Sequence, residues 1–290
     1  MTFSPSPQQQ VIFDELAKGL EFCELPFFNI TVDAKAGSGK TTTIVEGMKY
    51  IPREPNALIG PRIVFLAFNK SIADQLGRKC PVGVVCSTFH SLGFRALKGS
   101  GVVPPNVKVD GRKAHKLVWN AINDRDDPDT RNVIKLVSMC KTVAADVSEI
   151  DLQSVCDHHD IILERPERDF NIVRAVVEAT LQDTKVIDFD DMLYMPVMHN
   201  ISFDHYNYIF VDEAQDTNDI QLEILSRLSA PRSKLVAVGD PHQAIYGFRG
   251  ANADSMSRIT TRFQCKTYPL SVSYRCPKAV VREAQKYLSA

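Results

Sequence analysis

The sequence predicts an α/β fold built on a parallel sheet and interrupted midway by a mostly helical insertion. Three observations carry this prediction. Short apolar runs alternate with amphipathic stretches, a glycine-rich turn joins the first such run to a helical pattern, and between Phe94 and Val186 strand-like runs become scarce.

Taken in order, Phe27-Phe28-Asn29-Ile30-Thr31-Val32 reads as a buried strand leading directly to Ala36-Gly37-Ser38-Gly39-Lys40-Thr41. Residues 63–68 form a second strand, 71–76 a helix, and 82–86 a third, short strand. Tyr208-Ile209-Phe210-Val211 and Lys234-Leu235-Val236-Ala237-Val238 are two further apolar strands, each followed closely by acidic side chains. Inside the insertion, 112–122, 132–140 and 172–181 space their apolar residues as helices do, and 124–129 is a polar loop. No internal repeat or low-complexity segment is present.

At 290 residues, with 44% hydrophobic and 24% charged side chains, the chain has material for two or three domains. A formal net charge of -1 neither supports nor excludes a nucleic-acid partner, because a basic groove can sit on a neutral body. The charge is unevenly spread. Residues 95–141 carry ten Lys and Arg against five Asp, whereas 142–219 carry four against eighteen Asp and Glu. Solvated helical faces explain this as readily as a phosphate-tracking surface in the first segment.

Seven cysteines without a CxxC pair support neither a disulfide framework nor a metal cluster, and fit reduced thiols in an intracellular protein. The group Cys156, His158 and His159 lacks the i, i+4 spacing that aims two imidazoles at one ion. The N-terminus has no signal-peptide pattern, and no window is apolar enough to span a bilayer.

The run Ala34-Lys35-Ala36-Gly37-Ser38-Gly39-Lys40-Thr41 matches the phosphate-loop pattern, with Ala34 in place of its leading glycine. Glycines let backbone N–H groups converge on phosphate oxygens, and the following helix points its positive end at the same place. Lys40 is expected on the β- and γ-phosphates of ATP, and the Thr41 hydroxyl on Mg²⁺. Such a site needs an acidic partner at the end of a neighbouring strand. Val211-Asp212-Glu213-Ala214-Gln215-Asp216 supplies one, with Asp212 expected at Mg²⁺ and Glu213 as the general base for the attacking water.

With these motifs the sequence resembles the UvrD/Rep helicases of superfamily 1. Ser6-Pro7-Gln8-Gln9-Gln10 is similar to the segment whose glutamine reads the adenine edge in that family, and Gln9 matches best, with the register open by one. Ala36-Gly37-Ser38-Gly39-Lys40-Thr41-Thr42 is the family's form of the phosphate loop. Ala67-Phe68-Asn69-Lys70 and Ser87-Thr88-Phe89-His90 resemble motifs lining the single-strand groove, and Ile187-Asp188-Phe189-Asp190-Asp191-Met192-Leu193 a segment preceding the acidic motif. Gly239-Asp240-Pro241-His242-Gln243-Ala244-Ile245-Tyr246-Gly247-Phe248-Arg249-Gly250-Ala251 is the most diagnostic run. There the resemblance implies that Gln243 senses the γ-phosphate, that Phe248 stacks on a base, and that Tyr246 and Arg249 face nucleic acid. Ser273-Tyr274-Arg275 resembles the motif in which tyrosine packs on adenine and arginine reaches the γ-phosphate. Within the superfamily, Phe-Asn-Lys-Ser-Ile-Ala-Asp-Gln and Gly-Asp-Pro-His-Gln look closer to the F-box DNA helicase branch. Two departures stand out: Ala67 where many members stack a Phe, and Pro241-His242 in place of an acidic pair.

The resemblance implies a RecA-like nucleotide-binding core domain from 1–94 and 186–266, a helical insertion domain at 95–185, and at 267–290 the truncated beginning of a second RecA-like domain. It implies an ATP-dependent DNA helicase that translocates 3′→5′ on single-stranded DNA or at single/double-strand junctions, in replication, recombination or repair. Loading and repair partners stay unknown. An ATP-gated single-strand binding module with little turnover is the alternative. Phe68, Phe89 and Phe248 each admit core packing as well as base stacking.

Overall fold

The computed structural model describes residues 3–20, 29–52, 60–124, 126–243, 254–275, 277, 279–280 and 282–283. The chain opens with α1 (Pro7–Ala17), β1 (Asn29–Ala34), α2 (Lys40–Gly47), β2 (Ile63–Leu66), α3 (Lys70–Gly77), β3 (Val84–Ser87) and α4 (Phe89–Gly99). The insertion follows as β4 (Lys108–Val109), α5 (Lys113–Ile122), α6 (Thr130–Thr142), α7 (Leu152–His158), α8 (Pro166–Gln182) and β5 (Val186–Ile187). It returns through α9 (Asp191–Met198), β6 (Tyr206–Val211), α10 (Asp219–Leu228), β7 (Ser229–Gly239), α11 (Ser255–Arg262) and β8 (Cys265–Leu270).

Six strands form one sheet in the order β3-β2-β6-β7-β1-β8, and every neighbouring pair is parallel. The α/β class expected from the alternating pattern is therefore observed. Strand alternation divides the core into two layers. Ile63, Phe65, Tyr208, Phe210, Val236 and Val238 face α1 and α2, together with Ile30, Val32 and Ala34. Val64, Leu66, Ile209, Val211, Leu235 and Ala237 face the opposite way, into a cluster continuous with α6, α8, α9 and α10. The insertion helices thus share a core with the sheet.

Two differences from the sequence reading have physical causes. The second-domain start expected at 267 falls inside β8, which pairs with β1 from Asn29↔Cys265 to Ala34↔Leu270 and so belongs to the first sheet. In this edge strand only Tyr268 and Leu270 are buried, and Pro269 interrupts the apolar pattern, so little marks it as a strand. The insertion boundary expected after residue 94 cuts α4, which runs on to Gly99 because Leu92 and Leu97 lie on its buried side.

Two buried lysines tie the insertion to the core. Lys113 on α5 donates to Asp191 Oδ2 at 2.8 Å, and Lys141 on α6 donates to Asp188 Oδ2 and Asp191 Oδ1, both at 2.8 Å. Burial works against the Lys141 ammonium, but Asp191 and Asp188 outweigh it and hold its pKa above the usual lysine range.

Candidate active site and nucleic-acid groove

Because all six strands run parallel, their C-terminal ends lie along one edge of the sheet, where ligands bind in folds of this kind. The candidate residues follow those ends: the loop after β1, Ala67–Asn69 after β2, Thr88–His90 after β3, Asp212 and Glu213 after β6, Asp240–Gln243 after β7, and Ser271–Arg275 after β8.

In the loop after β1, Gly37 and Gly39 take left-handed backbone conformations with φ of +74° and +80°. Gly39 precedes α2 without a side-chain cap, so the first-turn N–H groups of that helix have no side-chain acceptor there. The Ser38 hydroxyl is fully buried and has no hydrogen-bond partner among the described residues. Uncapped donors, an orphaned hydroxyl and a lysine at the helix start suit a triphosphate.

Lys40 Nζ lies 2.5 Å from Glu213 Oε2, and Thr41 Oγ1 donates to Asp212 Oδ2 at 3.0 Å. The two predicted halves of the nucleotide site therefore meet. Asp212 is 7% exposed; burial, with the neighbouring Glu213 charge second, pushes its carboxyl above the usual range, while Thr41 and Lys40 oppose the shift. A divalent cation is the partner that would relieve this, and a Thr hydroxyl beside a carboxylate is a hard-oxygen donor set suited to Mg²⁺. Glu213 sits at φ 51°, ψ 45°, a left-handed conformation that costs a non-glycine residue energy. The strained backbone carries the carboxylate that meets Lys40.

Gln9 is 4% exposed on α1. Its Oε1 accepts the Ser6 N–H at 2.9 Å, and its Nε2 donates to Thr43 Oγ1 at 2.9 Å. That seats α1 against the helix behind Ala36, Gly37, Ser38, Gly39, Lys40, Thr41 and Thr42. Gln8 instead holds Ser271, leaving Gln9 as the glutamine beside the phosphate loop. The Ser273–Arg275 segment lies over the same loop: Tyr274 N–H donates to Gly37 O at 2.8 Å, and a Cβ on Gly37 would fall 2.6 Å from Arg275 Cβ. Tyr274 is 64% exposed. Gln243 Nε2 donates to Asp240 Oδ2 at 2.6 Å.

A groove of about 670 Å³ is lined by Asp212 and Glu213, Thr88 and His90, and Phe189 among others. Phe68 and His90 are half-buried along it and Asn69 is exposed. Asn69 and Thr88 also cap α3 and α4 through their side-chain oxygens. Phe89 is 7% exposed and packs in the core, while it also borders the groove. Tyr246, Phe248 and Arg249 lie outside the described residues.

Sequence reasoning passed over two residues here. Phe189 is 58% exposed at the groove, on the turn before α9. Its signal was an aromatic ring among acids in Asp188-Phe189-Asp190-Asp191, a place where core packing has little to offer. Gln215, inside the acidic run, is 3% exposed and hydrogen-bonded to Glu213.

The family model described as UvrD/REP helicase N-terminal domain matches residues 22–264. The chain is 27% identical to F-box DNA helicase protein 1 of Schizosaccharomyces pombe, over 92% of this chain and 32% of that protein. It is 26% identical to ATP-dependent DNA helicase Rep of Escherichia coli, over 87% of this chain and 40% of that protein. To ATP-dependent DNA helicase PcrA of Leuconostoc citreum it is 24% identical, over 90% of this chain and 37% of that protein. The chain thus spans about a third to two fifths of the length of these curated relatives.

Proposed function

The chain belongs to the UvrD/REP helicase family, and from that premise we propose that it hydrolyses ATP with Mg²⁺ and couples the cycle to movement along single-stranded DNA. The observation that carries this reading is the joining of two features. Asp212 and Glu213, the partners of Thr41 and Lys40, also line the groove that presents Phe189.

Lys40 leaves Glu213 for the β- and γ-phosphates as ATP enters. Glu213 then orients a water in line with the γ-phosphorus and takes its proton, while the bond to the bridging oxygen of ADP breaks. Thr41 and Asp212 would hold Mg²⁺, which would neutralise phosphate charge. Gln9 keeps one N–H and one oxygen lone pair for an adenine edge, Tyr274 offers an exposed ring for the base, and Gln243 and Arg275 report on the γ-phosphate. Phe68 and Phe189, together with the family-matched Tyr246, Phe248 and Arg249, grip bases by stacking and charge, which needs no sequence code. The 3′→5′ direction, action at single/double-strand junctions, and a role in replication, recombination or repair come to this chain from its family resemblance.

The reading is tested at the groove. Phe189→Ala should weaken binding of a fluorescent oligo-dT by about 1–3 kcal/mol, read by anisotropy, the usual cost of one lost base stack. Its melting temperature should stay unchanged, because the ring is already exposed. Unaltered affinity would remove the groove from the DNA path.

A further inference from the structure

Gln215 lies between two loops of the nucleotide site and bonds to both. Its Nε2 donates to Glu213 Oε2 at 3.0 Å and more weakly to Asp216 Oδ2 at 3.4 Å, while its Oε1 accepts the Asp240 N–H at 3.1 Å. Asp240 in turn accepts from the Gln243 side chain at 2.6 Å and from His242 N–H at 3.1 Å. The close approach depends on Gly239, where an added Cβ would fall 2.5 Å from Gln215 Oε1 and 2.9 Å from Gln215 N.

A primary amide places a donor and an acceptor in one rigid plane. The Asp240 N–H must face Oε1, so Nε2 is directed at the carboxylates. Glu213 Oε2 is shared by two partners, Lys40 and Gln215. Once Lys40 turns to phosphate, Gln215 is the partner that still fixes that oxygen, leaving Oε1 of Glu213 for the water.

We infer that Gln215 is a positioning residue: its amide holds the Glu213 carboxylate in its working orientation and ties it to the loop bearing Gln243. The inference rests on the reading of Glu213 as general base. It makes the arrangement of the base depend on the loop expected to sense the γ-phosphate.

The test compares Gln215→Glu and Gln215→Leu with the wild-type chain, using single-turnover hydrolysis of radiolabelled ATP at neutral pH, titration with a fluorescent ADP analogue, and the melting temperature of each chain. The charged groups facing Glu213 are Lys40 from α2, Asp212 from the end of β6 and Asp216 in the same turn. Gln215→Glu keeps the acceptor for Asp240 but puts a carboxylate against Glu213 and Asp216. Both variants should bind nucleotide within about threefold of wild type and hydrolyse it at least about tenfold more slowly at neutral pH. Wild-type hydrolysis rates in both variants would overturn the inference. So would a parallel fall of nucleotide affinity, rate and melting temperature in both variants, which marks a merely structural side chain. Absence of Lys40-dependent hydrolysis in the wild-type chain would instead overturn the ATPase reading, and the inference with it.

Discussion

In the Glu213→Gln variant, ATP affinity should hold or tighten slightly while turnover falls by about 10²–10⁴-fold, the range a positioned general base contributes. The amide preserves the shape of the side chain but cannot take the water's proton. The sign of the affinity change follows from the ion pair. Lys40 and Glu213 are 2.5 Å apart, so ATP must draw the lysine away from a carboxylate before its phosphates can use it. Their side chains are 12% and 36% exposed, so the competing pair is partly screened and its removal should shift affinity only a few-fold. Equilibrium binding of a fluorescent analogue, beside steady-state phosphate release, separates the two effects. Turnover surviving within a few-fold would remove Glu213 from the base position and bring Asp216 forward.

A comparably large effect is expected far from the nucleotide. Lys141→Met should destabilise the chain by about 3–5 kcal/mol, because removing one partner of a buried ion pair strands the other. Lys141 is 1% exposed and bridges Asp188 and Asp191; Lys113 still holds Asp191, but Asp188 Oδ2 would lose the ammonium it faces. The two aspartates also accept each other's backbone N–H groups, so the turn between them is fixed by the same network. That turn carries Phe189, and weaker oligo-dT binding should accompany the lost stability. Urea unfolding measures the first effect, and adding Asp188→Asn should recover part of it by removing the stranded charge. A loss below about 1 kcal/mol would mean that water or another cation reaches Asp188.

The sequence was most readable where one local rule decided the outcome. The apolar strands at 63–68, 208–211 and 234–238 alternate between two covered faces and appear in the structure as β2, β6 and β7 with shifted ends. The phosphate loop was legible because glycine, lysine and threonine at that spacing serve one geometry, and the structure sets Lys40 and Thr41 on Glu213 and Asp212. Less readable was whatever depends on distant partners. β8 is a strand because β1 has a free edge for it, and Cys265-Lys266-Thr267-Tyr268-Pro269-Leu270 shows little of that by itself. Phe189 is held at the groove by lysines 48 and 76 residues earlier in the chain. The importance of Gln215 emerges only when β7 brings Asp240 to it, 25 residues on.

We propose one Lys40-dependent site that hydrolyses ATP and answers to DNA in the groove beside it. Phosphate release by residues 1–290, measured with and without an oligo-dT, tests it most directly, with Lys40→Ala as the control. The expected result is turnover that rises when oligo-dT is added and vanishes in Lys40→Ala, which keeps the wild-type circular dichroism spectrum. Equal ATP affinity and equal turnover in wild type and Lys40→Ala, indifferent to oligo-dT, would contradict it.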